Sequence, residues 1–352
     1  MADLDIDDVR KMLSRSRPHV ETARGVSTGS TLLNLALTDT IDAGYLAGNY
    51  TFLVGDSATG KTWVAFAAFA EACRNPAFAD YSLVFYDVEN GAQFDVAHYF
   101  GQDTADRVEV VTPDGLEAFY DDLDARLAAG PVLAFLDSMD ALKSAKAEKA
   151  KRKQVAARKQ GKEESGSYGT DKARENSSRL RLVVDALKRH GSIFVCISQT
   201  RDNIGFGAKY NPKTRSGGKA LTFYAHAEVW TSVRESVRRK VKGKDRDVGN
   251  VVTAAVKKNR QTGQTSKVEL ILLHGHGIDD VGSCVRYLVE EGHWPESKGT
   301  VTADEFDFSG PAEKLVRQIE DDGAEPALRA IVASVWREIR DKSIPVRKAR
   351  YT

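Results

Sequence analysis

An eight-residue run, Gly55-Asp56-Ser57-Ala58-Thr59-Gly60-Lys61-Thr62, constrains this chain more than any other part of it. The strand-like run Thr51-Phe-Leu-Val54 precedes it, and a helical pattern over 63–73 follows. The spacing GxxxxGK[ST] between a strand and a helix is what a phosphate-binding loop requires. The glycines let backbone N–H groups wrap a polyphosphate at a helix N-terminus, where the helix dipole also favours anions. Lys61 then reaches the β- and γ-phosphates, and Thr62 offers its hydroxyl to Mg²⁺. The run predicts ATP and Mg²⁺ as ligands, with residues 55–62 forming the nucleotide site.

The surroundings of the loop predict a fold. Residues 50–54, 83–86, 108–111, 132–136 and 193–197 are short, mostly apolar runs, as strands buried on both faces of a parallel sheet are. Helical patterns alternate with them over 63–73, 94–100, 116–129 and 180–189. The expectation is an α/β core with a mostly parallel sheet and helices on both faces. Residues 229–233, 251–256 and 268–273 read as antiparallel strands extending that sheet. Residues 304–309 read as a linker and 312–340 as a helical C-terminal piece, ending on the basic tail Arg347-Lys348-Ala349-Arg350.

Three strand tips carry polar residues suited to chemistry near bound phosphates. Asp137 ends the apolar run 132–136 and fits the carboxylate that holds Mg²⁺ through water; a turn or capping Asp is the competing reading. Glu89 lies two residues beyond Asp87 at the end of another strand and suits a base that activates water. Asp87 competes for that role. Gln199 follows the strand at 193–197 and suits a sensor of the γ-phosphate, against the plain alternative of a strand-end polar residue.

Two segments point to a polyanionic partner. Residues 143–174 hold eleven Lys/Arg against four Asp/Glu. A run of this kind is often only a solvated face, but this one is inserted at the carboxyl edge of the sheet, where ligands bind in such folds. Residues 201–219 interleave Arg201, Lys209, Lys213, Arg215 and Lys219 with Ile204, Phe206 and Tyr210. Phosphates and base faces of single-stranded nucleic acid suit such a mixture. The formal net charge of +1 decides nothing here, because a basic patch can sit beside acidic surface. The three cysteines show no metal or redox spacing. No apolar run approaches the ~20 residues of a membrane helix, and the N-terminus lacks a secretory stretch. A cytoplasmic protein is expected, in a bacterial host if the chain is phage-encoded.

Taken together, these segments resemble the RecA-type strand-exchange recombinases, most closely the phage form of UvsX type, from about residue 26 to 294. Val26-Ser-Thr-Gly-Ser-Thr-Leu-Leu-Asn-Leu-Ala-Leu37 resembles the family's entry segment. Phe85-Tyr-Asp-Val-Glu89 is similar to the strand bearing the catalytic base, and Phe135-Leu-Asp-Ser138 to the Mg²⁺-holding strand. Ile197-Ser-Gln-Thr-Arg-Asp-Asn-Ile-Gly205 resembles the stretch joining the nucleotide sensor to the second DNA loop. Gly217-Gly-Lys-Ala-Leu-Thr-Phe-Tyr-Ala225 resembles the end of that loop. Val256-Lys-Lys-Asn-Arg260 resembles the motif whose cations reach the adjacent subunit's ATP, and His274-Gly-His-Gly-Ile-Asp-Asp280 the turn near the end of the core.

The resemblance implies a RecA-like P-loop NTPase core. It implies Glu89, Lys61, Gln199, Lys258 and Arg260 in catalysis, and Thr62 and Asp137 at the metal. It implies Tyr168, Gly169, Arg174, Arg201, Ile204, Phe206, Lys213, Arg215, Gly217, Gly218 and Lys219 on DNA. The first DNA loop is longer and richer in lysine than usual in the family, and the tail is basic where acidic tails are common. The expected organisation is an N-terminal oligomerisation helix and linker (1–25), the ATPase core (26–300) with DNA loops near 143–174 and 201–219, and a small helical C-terminal domain (301–352). The expected function is a DNA-dependent ATPase and recombinase. It would form helical filaments of itself on single-stranded DNA, pair it with homologous duplex, and work with mediator and single-strand-binding proteins. A DnaB-type ring helicase and a nucleotide-gated adaptor are the alternatives.

Overall fold

The computed structural model describes residues 24–144, 170–202, 213–215 and 219–347; for 170–174, 201–202, 213–215 and 219 only the backbone is described. The sequence-based assignments for the N-terminal helix, Tyr168, Gly169, Ile204, Phe206, Gly217, Gly218 and the tail beyond Arg347 lie outside these residues.

Helix α1 (Thr31–Thr38) leads into β1 (Tyr50–Gly55), the phosphate-loop run and α2 (Lys61–Arg74). There follow β2 (Ser82–Asp87), α3 (Val96–Phe100), α4 (Gln102–Arg107), β3 (Val108–Val111), α5 (Leu116–Ala129) and β4 (Val132–Asp137). Then come α6 (Thr170–His190), β5 (Ile193–Asp202), β6 (Lys213–Arg215), α7 (Lys219–Tyr224), β7 (Ala227–Val241), β8 (Lys244–Asn259), β9 (Ser266–Leu273), β10 (Gly277–Asp279) and α8 (Asp280–Glu290). The chain closes with β11 (Thr300–Ala303), β12 (Phe308–Gly310), α9 (Ala312–Asp321) and α10 (Glu325–Lys342).

The main sheet has the order β10-β9-β8-β7-β1-β5-β4-β2-β3. Strands β7, β1, β5, β4, β2 and β3 run parallel, while β8, β9 and β10 add antiparallel rungs. The expected α/β class is therefore what forms. One detail differs: β7, expected among the antiparallel strands, runs parallel to β1 on one edge and antiparallel to β8 on the other.

Alternation along the strands explains why both faces are covered. In β1, Tyr50, Phe52 and Val54 join the apolar cluster beneath α5 and α6, whereas Leu53 joins the one under α1 and α2. Successive side chains of a strand point to opposite faces, so a strand buried at every position needs helices on each side.

Three boundaries depart from the sequence reading. Helix α6 begins at Thr170, ten residues before the apolar pattern at 180, so Arg174 lies on a helix rather than in a loop. Strands β7 and β8 continue past their apolar parts into an exposed ribbon that turns at Lys242-Gly243. Residues 304–309 are not a linker: a 3₁₀ turn, Asp304–Phe306, connects β11 to β12 in a small antiparallel sheet. Phe306 and Phe308 pack against the main apolar cluster, and so do Leu315 and Ile319 of α9 and Leu328, Val332 and Trp336 of α10.

Candidate nucleotide site

The loop joining β1 to α2 is held closely from two sides, which accounts for its glycines. A Cβ on Gly55 would lie 1.9 Å from Thr231 Oγ1 of β7, and one on Gly60 would lie 2.2 Å from Leu272 Cδ1 of β9. Gly60 also adopts φ 73°, a left-handed conformation that glycine reaches without steric cost. Ala58 sits at φ 60°, where a Cβ is disfavoured. No side chain caps α2, whose N-cap is Gly60. Its first-turn N–H groups are donors suited to an anion. Thr59 Oγ1 donates to the Asp56 carbonyl at 2.8 Å, and Thr231 Oγ1 lies 2.8 Å from Thr59 Oγ1.

Lys61 is folded back onto this loop. Its ammonium donates to the Asp56 carbonyl at 2.6 Å and the Gly55 carbonyl at 3.1 Å. Burial pushes its pKa down, against the opposing pull of Asp137, Glu89, Asp56 and Asp140. A cation held by carbonyls among several carboxylates is poised to take up phosphate oxygens, which bind ammonium more strongly than a neutral acceptor does.

Strands β2, β4 and β5 end beside the loop and bring three expected residues to it. Thr62 Oγ1 donates to Asp137 Oδ2 at 2.6 Å. Burial raises the Asp137 pKa, and the charges of Glu89 and Asp87 add to the rise. A buried carboxylate disfavoured in its charged form and touching the Thr62 hydroxyl fits a divalent cation. Mg²⁺ takes one or two protein oxygens and completes its shell with phosphate oxygens and water. Glu89 accepts from Ser138 Oγ at one oxygen and from Gln199 Nε2 at 2.6 Å at the other. The backbone N–H of Gln199 donates to Asp140 Oδ2 at 2.8 Å. Asp87 is occupied differently: its carboxylate accepts from the backbone N–H groups of Gly91 and Ala92 at 2.9 and 3.0 Å, closing the turn that carries Glu89.

Lys258 and Arg260 are not brought to this loop. Lys258 pairs in register with Glu228, and Glu228 with Phe52, so both cations lie towards the amino end of β1 while the loop leaves its carboxyl end. Lys258 Nζ donates to the carbonyls of Thr222 and Phe223 at 2.5 and 3.1 Å, and Arg260 to that of Phe223 at 2.9 Å. Arg201, Lys213, Arg215 and Lys219 lie on backbone that brackets the second loop: β6 pairs with the end of β5, Thr200 opposite Arg215, and Lys219 opens α7. Ser138, Asp140, Thr200 and Thr231 belong to the site and were not anticipated. Ser138, Asp140 and Thr200 lie next to strand tips, whereas Thr231 lies inside β7, so nothing in the local sequence sets it apart.

Residues 8–279 match the model of the RecA N-terminal domain family. The chain is 31% identical to Protein RecA of Corynebacterium efficiens over 289 residues, covering 81% of this chain and 67% of that protein. It is 32% identical to Protein RecA of Amycolatopsis mediterranei over 271 residues, covering 76% and 70%. To Protein RecA of Nocardia farcinica it is 33% identical over 272 residues, with the same coverage. The chain belongs to the RecA family of DNA-dependent ATPases and recombinases, which use ATP with Mg²⁺.

Proposed function

We propose that this chain is a RecA-type recombinase of the phage form, assembling head-to-tail on single-stranded DNA and pairing it with homologous duplex. Family membership carries DNA binding, self-association and ATP turnover; the phage assignment rests on sequence. Identity to bacterial relatives is only 31–33%, and residues 143–174 form an unusually lysine-rich insertion. Neither rival, the ring helicase or the adaptor, is favoured by the family match.

In this reading residues 55–62 cradle the triphosphate, with Lys61 on its β- and γ-oxygens. Thr62 and Asp137 hold Mg²⁺, which when bound neutralises charge on those oxygens. Glu89 accepts a proton from the attacking water. The hydrogen bond from Gln199 orients Glu89 and links it to β5, the strand that leads into the loop at 201–219. Lys258 and Arg260 serve the ATP of a neighbouring subunit. The DNA-facing residues are Tyr168, Gly169, Arg174, Arg201, Ile204, Phe206, Lys213, Arg215, Gly217, Gly218 and Lys219. Residues 1–25 would dock on the next subunit, and 301–352 would form a C-terminal unit sharing its apolar cluster with the 26–300 core. Head-to-tail contacts that do not close generate a filament. Mediator and single-strand-binding proteins are the expected accessory partners, in the cytoplasm of a bacterial host. Among the described residues no helix is long and apolar enough to cross a membrane.

The observation that carries the reading is the convergence of Lys61, Thr62, Asp137, Glu89 and Gln199 at one sheet edge, with the 201–219 segment leaving the same strand as Gln199. ATP hydrolysis measured with and without single-stranded DNA tests it. Stimulation by DNA, with filaments in negative-stain images, is the expected result. A DNA-indifferent rate, or closed rings, overturns it.

A further inference from the structure

The phosphate loop has a second side-chain tie to β5, separate from the Gln199–Glu89 bond. The hydroxyl of Thr200 donates to the carboxylate of Asp56, the second residue of the loop. Thr200 is also the first rung of the β5–β6 ribbon, paired with Arg215 across the base of the 201–219 segment. One half-buried residue thus touches the nucleotide loop through its side chain and, through its backbone, leads into the 201–219 segment and pairs with Arg215 within it.

The same stretch of loop holds Lys61. The Asp56 and Gly55 carbonyls accept from the Lys61 ammonium at 2.6 and 3.1 Å. A triphosphate seated in the loop draws that ammonium onto its own oxygens, because charged acceptors outcompete carbonyls. The backbone at 55–56 then loses its cation, and the Asp56 carboxylate acquires a polyanion as neighbour. Both changes bear on the residue that Thr200 holds.

We propose that Thr200 is a positioning residue that acts through Asp56, passing occupancy of the phosphate loop to the 201–219 segment in parallel with Gln199. The inference rests on the reading of that segment as a DNA loop. It gives the Thr200 hydroxyl a role that a strand-end threonine with no partner would lack.

The test uses the full chain and a fluorescent oligo-dT strand. Single-stranded DNA affinity is measured with ADP and with a non-hydrolysable ATP analogue, and the ratio of the two is the readout. Thr200→Val keeps the shape and strand preference of the side chain but removes the donor. The ratio should fall by about fivefold or more, the lower end of ordinary allosteric couplings. A wild-type far-UV circular dichroism spectrum shows that the variant is folded, so that the ratio reports the coupling. Thr200→Ser should restore the ratio. The inference is overturned if Thr200→Val keeps the wild-type ratio, or if Thr200→Ser loses as much as Thr200→Val. A wild-type chain whose DNA affinity ignores the nucleotide overturns both this inference and the functional reading beneath it. A responsive wild type with an equally responsive Thr200→Val removes the inference alone.

Discussion

Lys258 Nζ donates to the Thr222 carbonyl at 2.5 Å, so a cation on β8 holds the C-terminal end of α7, the helix after the 201–219 segment. Arg260 joins it on the Phe223 carbonyl. Register places Lys258 three residues, about 10 Å, short of Gly55 along the strands and two strand spacings, about 10 Å more, to the side. Neither cation can serve its own subunit's phosphates from there. We therefore expect Lys61→Ala and Arg260→Ala proteins, each inactive alone, to recover ATPase activity when mixed with DNA, because one interface type in the mixture keeps both groups. Trans-acting cations of this kind are worth ~10³ to 10⁵ in rate. Failure at every mixing ratio, or a normal rate for Arg260→Ala alone, refutes the assignment.

Glu89 has both carboxylate oxygens engaged, by Ser138 and by Gln199. Glu89→Gln keeps the size and loses the base. Turnover should fall by ~10² or more, the range for a lost general base, while ATP still binds and DNA complexes persist longer. Asp87→Asn should act differently, loosening the turn at 88–92 and weakening stability as well as rate. An unchanged rate in Glu89→Gln would give the role to another carboxylate.

The parts of this site that were legible in sequence share one property: each is a contiguous pattern or a polar residue ending an apolar strand. The loop at 55–62, Asp137, Glu89 and Gln199 are of that kind. Ser138, Asp140, Thr200 and Thr231 are small polar residues whose role exists only once β1, β4, β5 and β7 are in register, and nothing local announces it. The ends of β7 and β8 were missed because residues 234–247 are charged on both faces of a solvated ribbon, leaving no apolar alternation to read. The first half of α6 is polar for a similar reason, since apolar residues recur only from Leu180. Acidic residues 304, 305 and 307 gave the small C-terminal sheet the look of a linker, although Phe306 and Phe308 between and after them pack inward.

Residues 145–169 lie outside the described structure, and their eight Lys/Arg remain a sequence-based case for DNA contact. Trypsin should cut between Lys149 and Lys153 more slowly once an ATP analogue and single-stranded DNA are both bound. Affinity should fall steeply with salt, each neutralised phosphate adding about −0.7 to the log–log slope. Equal cutting in the free and bound states would make the insertion a solvated surface and leave 201–219 as the DNA-holding segment.

The raised pKa of Asp137 predicts a conflict between stability and function. Burial and the charges of Glu89 and Asp87 disfavour its ionised form. The folded state therefore binds this proton more tightly than the unfolded chain does. The stability it contributes is present below the ordinary carboxylate pKa and is lost as pH rises through the folded value. Without Mg²⁺, the charged form of this buried carboxylate therefore weakens the fold. Asp137→Asn should raise the Tm of the nucleotide-free protein, about 2 °C for each kcal/mol in a chain of this size. The same change should reduce Mg²⁺-dependent turnover by ~10²-fold or more, since several kcal/mol of charge stabilisation depend on the metal. A Tm that falls while turnover survives would show that Asp137 is structural.

His226 gives the opposite sign. Its Nδ1 accepts from the Tyr50 backbone N–H at 3.2 Å, so the ring is neutral, and its carbonyl accepts from the Arg260 N–H. Burial and then the positive charges of Lys188, Arg260 and Lys258 lower its pKa to about 4. An unfolded histidine titrates near 6.5, so between about pH 4 and 6.5 the unfolded chain binds the extra proton. Stability from this group is complete above pH 6.5 and declines as pH falls through that window, by about 1–3 kcal/mol after allowance for partial exposure. His226→Asn keeps an acceptor for Tyr50 but cannot titrate. Urea midpoints at pH 7.5 and 5.0 should therefore drop further for wild type than for His226→Asn, the carboxylates contributing equally to both. A wild-type-minus-variant difference that stays flat across this range would mean that His226 is accessible enough to keep its ordinary pKa, and that the cations around it are screened by solvent.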